Sequence, residues 1–126
     1  MTFATADILR TPYKLGGRTV GAELDCLGTV AEIARRRGLP PPGGWPEILS
    51  AVEAGRTANG FPLGWRRVPE PVRLLDGDVL VLPGEHPGCA IVHEGRVFTA
   101  RPEAGVHAVP LHRWSQAPSE VWRFSA

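Results

Sequence analysis

The chain predicts an α+β domain, N-terminal helices packed on a C-terminal antiparallel β-sheet. Three observations predict it. Leu27, Val30, Ala31, Ile33 and Ala34 recur at helical spacing between Asp25, a suitable N-cap, and Gly38, a suitable stop. From Val79 onward the period changes to short apolar runs separated by turn residues, with Glu94-Gly95 placed as a hairpin turn. Helices come first and strands after, the order of an α+β domain.

Taken in order, Thr5 to Thr11 reads as a short helix with Ala6, Ile8 and Leu9 on its apolar side and Pro12 as its stop. Tyr13 to Leu24 reads as a glycine-rich loop in which Gly16, Gly17 and Gly21 let the backbone turn sharply. It lacks the spacing and the Lys-Ser/Thr end of a phosphate-binding loop. The helix after Asp25 closes with Arg35-Arg36-Arg37, cations that suit the negative end of the helix dipole. Pro40 to Gly44 is a connector, and Pro46 opens a second helix that runs to about Ala54 and stops at Gly55. Arg56 to Glu70 reads as irregular, with Trp45 and Trp65 as packing residues. Leu75 to Asp78 is a turn before the strand Val79–Leu82, which is too apolar to have a wet face. Gly88–Val92 and Arg96–Ala100 form the hairpin, Gly105–Leu111 adds a strand, and Val121–Phe124 closes the sheet.

Composition narrows the function. The 126 residues make one domain, 1–126, and a 43% apolar share is that of a globule rather than a disordered tail. A net charge of +1 argues against a nucleic-acid surface. No apolar run reaches the length of a membrane span, and no basic-then-apolar leader opens the chain. The expectation is a protein that stays in the cytoplasm or leaves it as part of a particle. Cys26 and Cys89 are no disulfide framework, although a bridge between them would silence Cys26 as a nucleophile. The four histidines and two cysteines lack paired ligand spacing, and Pro110 separates His107 from His112, so no metal or cofactor is expected.

The chemistry is concentrated at Cys26. In the first turn of a helix, free N–H groups and the positive helix end favour a thiolate, the nucleophilic form. Tyr13-Lys14-Leu15-Gly16-Gly17-Arg18, followed by Asp25-Cys26-Leu27-Gly28, resembles the opening of the NlpC/P60 cysteine peptidases. The family pattern is a Pro-Tyr-x-x-Gly-Gly loop, then Asp-Cys-Ser-Gly at a helix start, and Leu27 stands in place of the serine. The resemblance covers nearly the whole chain. It implies a papain-like fold, Cys26 as the nucleophile and Tyr13 with its hydroxyl near the thiol.

A thiolate also needs a base that protonates the leaving amine. The family takes it from a His-x-Gly at the head of the middle strand, here His86-Pro87-Gly88. Alignment on that pattern makes His86 the base, whereas alignment on the Gly95-Arg96 turn puts Pro87 there. A proline early in a strand marks a bulge that returns His86 to the inner face, and His86 is the expected base. The imidazole-orienting residue of the next strand falls on Thr99, whose hydroxyl can accept a ring N–H; His93 and His107 are candidate replacements, His93 being expected in solvent beside its hairpin turn.

The resemblance therefore implies a peptidase that cuts peptidoglycan stem peptides, carried at the tail tip of a phage or phage-like particle, with tail-hub or baseplate proteins as partners. An alternative is a structural baseplate subunit with little hydrolysis, docking through Trp45, Trp65 and Trp114. A third is a cysteine amidase or acyltransferase outside phage, since fold does not fix substrate.

Overall fold

A computed structural model describes residues 2–42, 61–69, 73–83 and 88–125. Helix α1 spans Ala6–Leu9 and helix α2 Cys26–Arg36. Between them lie the two-residue strands β1 (Arg18–Thr19) and β2 (Glu23–Leu24). Six further strands follow: β3 (Trp65–Val68), β4 (Val79–Leu82), β5 (Gly88–His93), β6 (Arg96–Arg101), β7 (Gly105–Pro110) and β8 (Glu120–Phe124). They form one antiparallel sheet in the order β3-β8-β4-β5-β6-β7. Helices followed by an antiparallel sheet is the architecture the sequence predicts. Trp45, the helix from Pro46, His86 and Pro87 lie outside the described residues.

Helix α2 forms as its caps dictate. Asp25 is in extended conformation and its carboxylate accepts the Gly28 N–H at 2.7 Å, while Gly38 follows at φ +75°. Leu27, Val30, Ile33 and Ala34 are buried against β5 and β6, where they meet Cys89, Ile91, Phe98 and Ala100. Burial of each large apolar side chain contributes about 1.5–3 kcal/mol. On the other face of the sheet Leu80, Leu82, Ala90, Val92, Val97 and Val121 make a second core under Leu74, Leu111 and Trp114. Strand β4 is buried along its whole length, as its unbroken apolar run requires. Helix α1 is tied on by Arg36, which donates to both oxygens of Asp7 at 2.7 and 3.0 Å.

Several local expectations change. Helix α1 is a single turn that buries Ile8 and leaves Ala6 exposed. The glycine-rich stretch contains the β1–β2 hairpin, and Tyr13 runs parallel to Leu24 on the other side of β2. Residues 65–68, read as irregular, form the edge strand β3 against β8. Only its end residues are buried, so no alternation announces it; pairing with β8 makes it a strand. Strand β8 does not close the sheet but lies between β3 and β4. Trp65 is buried, with its indole N–H donating to the Pro40 carbonyl at 2.8 Å, which rules it out as an exposed docking residue. Among the described residues no helix is long and apolar enough to cross a membrane.

Glycine at position 28 is a packing requirement. A Cβ there would overlap the Gly17 carbonyl oxygen, and a Cβ at Gly17 would lie 2.7 Å from Glu23 backbone atoms. The loop carrying Gly16 and Gly17 thus rests directly on the first turn of α2. Gly28→Ala is expected to destabilise the protein by about 1–3 kcal/mol despite the better helix propensity of alanine, measured by urea denaturation.

Candidate functional site

Asp25 is the hinge between the loop and α2. It is 2% exposed, and Oδ1 accepts from Gly28 N and from Arg18 Nη1, both at 2.7 Å. Oδ2 accepts the Gly16 N–H at 2.8 Å, and the Asp25 carbonyl accepts the Thr29 hydroxyl at 2.9 Å. One buried carboxylate therefore caps the helix, pins the Gly16-Gly17 loop and holds Arg18. Sequence reading identified the cap. It missed the loop contact and the Arg18 pair, which no local spacing encodes.

Cys26 follows as the first helical residue, half-buried, with its sulfur against the start of β5. A Cβ at Gly88 would lie 3.7 Å from that sulfur. The Cys89 thiol, acting on the Cys26 sulfur, is the largest influence holding the Cys26 pKa below the ordinary thiol range. Burial opposes it, the Cys89 backbone N–H assists, the Asp25 charge opposes and the Leu27 N–H assists. The opposite holds for Cys89: its contact with Cys26 and its complete burial push its thiol well up. The pair consists of one reachable sulfur biased toward thiolate and one sealed sulfur biased toward thiol.

Tyr13 packs on the same core cluster as Cys26. Burial, then the nearby Cys26 and Asp25 charges, raise its pKa, so its phenol stays protonated and able to donate. The structure thus brings Tyr13, Asp25 and Cys26 together, and it adds Cys89 beneath them.

Thr99 lies on the other side of the sheet. Its neighbours Phe98 and Ala100 face the α2 core, whereas Val97 belongs to the second core, so alternation sends Thr99 away from Cys26. It is 2% exposed, and its hydroxyl donates to the Cys89 carbonyl at 2.8 Å. Position 99 thus braces the β5 backbone behind the cysteine pair rather than lining the thiol. His107 pairs with Thr99 across β6–β7 and lies within hydrogen-bonding distance of its own strand, Nδ1 being 3.0 Å from the Gly105 carbonyl. On the Cys26 side, β6 and β7 offer Phe98, Ala100, Val106 and Ala108, with Arg96 over the Phe98 ring at the hairpin end of β6.

His93 overturns its expectation more completely. It is fully buried rather than solvated, stacked on Phe3 with ring centroids 4.3 Å apart. Arg37 Nη1 lies 2.8 Å from Nδ1, which can only accept from a guanidinium, so the ring proton sits on Nε2. Nε2 has no hydrogen-bond partner, the Glu94 carboxylate being 3.6 Å away. Burial first and the Arg37 charge second lower the His93 pKa, with Arg96 adding to them and Glu94 and Asp76 opposing. A hairpin neighbour is no guide to exposure when an N-terminal aromatic folds over it.

The folded-state pKa of His93 lies below the ordinary 6.5, so the unfolded chain takes up the proton first as pH falls. The contribution of the neutral, Arg37-bonded ring is intact above about pH 6.5 and is lost as pH drops from there toward the folded value. Urea midpoints measured between pH 7 and pH 5 are expected to fall more for the native protein than for His93→Gln.

Among the described residues no group of three or more His, Cys, Asp or Glu side chains could hold a metal ion. No protein-family model matches this chain, and no curated protein shows significant similarity to it.

Proposed function

We propose that the protein is a peptidoglycan-directed cysteine peptidase of papain-like, NlpC/P60 type, carried by a phage or phage-like tail. The observation that carries the proposal is Cys26, a partly exposed residue in the first turn of a helix packed on the sheet, with its acidity increased by neighbouring donors. In this reading the Cys26 sulfur attacks a stem-peptide amide carbon. The backbone N–H of Cys26 at the start of α2 holds the oxyanion, and the protonated Tyr13 phenol adds a donor beside the thiol. His86, just ahead of Gly88 in the chain, takes the thiol proton and returns it to the leaving amine. The substrate class and the delivery by a tail particle come from the sequence resemblance.

One observation favours a second reading, a catalytically weak structural subunit of a tail tip. Thr99 faces away from Cys26, and on the Cys26 side the end of β6 and β7 level with Cys89 carries Ala100 and Val106, the charged Arg96 standing at the opposite, hairpin end of β6. An imidazole at the site would therefore lack an orienting partner from those strands.

Muropeptide release from purified peptidoglycan, native protein against Cys26→Ser under reducing conditions, separates the two. Release by the native protein alone supports the peptidase. No release by either folded protein across a range of pH supports the structural subunit.

A further inference from the structure

We propose that Cys26 and Cys89 form a reversible internal disulfide on contact with hydrogen peroxide, Cys26 as the thiol that is oxidised and Cys89 as the thiol that resolves it. The two residues are distant in sequence and are joined only by the packing of α2 on β5. Cys26 is half-buried and reachable, whereas Cys89 is 2% exposed beneath it. Both sulfurs are free, Cys26 packs against the core cluster that contains Cys89, and its sulfur lies beside Gly88, the residue before Cys89. An oxidant from solvent therefore meets Cys26 first, and the next thiol it encounters is Cys89.

The fold favours closing this bond over further oxidation of Cys26. Cys26 is the first helical residue, so its side chain leaves α2 at the end that meets the start of β5. Cys89 lies on β5, held by pairing to β4 at Val81 and by the Thr99 hydroxyl on its carbonyl. Glycine precedes it at position 88, leaving room beside the Cys26 sulfur. One sulfur stands at a helix start and the other on a strand paired on its β4 side, and the bond requires the two to meet the narrow geometric range of a disulfide.

The chemistry balances in two steps. The Cys26 thiolate attacks one peroxide oxygen; the S–O bond forms as the O–O bond breaks, and the departing hydroxide takes a proton to become water. The sulfur is oxidised to a sulfenic acid and the peroxide is reduced. The Cys89 sulfur then attacks the Cys26 sulfur; the S–S bond forms as the S–O bond breaks, and the hydroxyl leaves with the Cys89 proton as a second water. Two thiols and one peroxide give one disulfide and two waters, and a dithiol reductant returns both thiols. Silencing of hydrolysis by this bond rests on the peptidase reading; the bond itself does not.

The test treats the full chain with equimolar peroxide, blocks remaining thiols with iodoacetamide and reads intact mass and non-reducing peptide maps. The expected product has lost the mass of two hydrogens, carries no alkyl group and yields one cross-linked peptide joining Cys26 to Cys89. A dithiol reverses it. In Cys89→Ala, which keeps a small apolar group in the buried position, Cys26 is expected to stop at the sulfenic acid and be trapped by dimedone. The proposal is overturned if the native protein gives sulfenic or sulfinic acid at Cys26 with Cys89 still free. It is equally overturned if neither thiol reacts, or if cross-links form only between chains. Because the readout is mass, a protein that releases no muropeptides and still forms the bond loses only the peptidase reading.

Discussion

Cys26→Ser is expected to abolish muropeptide release, by at least about 10³-fold in kcat/KM. The thiol is the group whose acidity the site increases, through the Cys89 thiol and N–H and the Leu27 N–H. A serine hydroxyl in the same place starts far less acidic, and those donors cannot bring it to an alkoxide near neutral pH. The substitution changes one half-buried atom at a helix start, so the fold should survive and the circular dichroism spectrum should be unchanged. Iodoacetamide labelling supplies an assay independent of substrate. Cys26 should react below the pH expected of a free thiol, about 8.5, and Cys89 should stay unlabelled in the folded protein. If His86 is the base, His86→Ala slows Cys26 labelling at neutral pH. Labelling of Cys26 only at ordinary thiol pH would favour the structural-subunit reading.

Asp25→Ala should cost roughly 2–4 kcal/mol of stability, the largest loss expected of any single change near the site. The substitution deletes a helix cap, ordinarily worth about 1 kcal/mol. Beyond that cap bond to the Gly28 N–H, it also strands the Gly16 N–H, which the other carboxylate oxygen accepts. Loss of the Arg18 pair adds little, because that side chain is 45% exposed and can return to water. In urea the midpoint should fall by about 1–2 M. Asp25→Asn is the sharper companion. It keeps an acceptor for the cap and removes the charge that opposes the Cys26 thiolate. Where the Asp25→Asn protein stays folded, Cys26 labelling should move to lower pH even though stability declines. A parallel fall in stability and thiol reactivity would show instead that the helix start itself had frayed.

Local chemistry made much of this protein legible from its sequence. The cap at Asp25, the stop at Gly38 and the apolar stripe between them specify α2 from nearby residues alone. The Glu94-Gly95 turn has positive φ at both residues, 49° and 73°, so β5 and β6 follow from a short segment. Likewise Asp25-Cys26 announces a thiol at a helix start, because caps and helix dipoles act within one turn.

What only the tertiary structure decided depends on partners far away in the chain. Strand β3 exists through its pairing with β8 and has no alternation of its own. His93 is buried because Phe3 and Arg37, from opposite ends of the N-terminal segment, close over it. Thr99 faces away from Cys26 because strand register assigns sides in steps of one residue, which no motif fixes. Most consequentially, Cys89 lies beneath Cys26 because one face of α2 packs on one face of β5. A sequence pattern reveals which residues want a helix or a strand; which two sulfurs then meet is settled by how those elements pack.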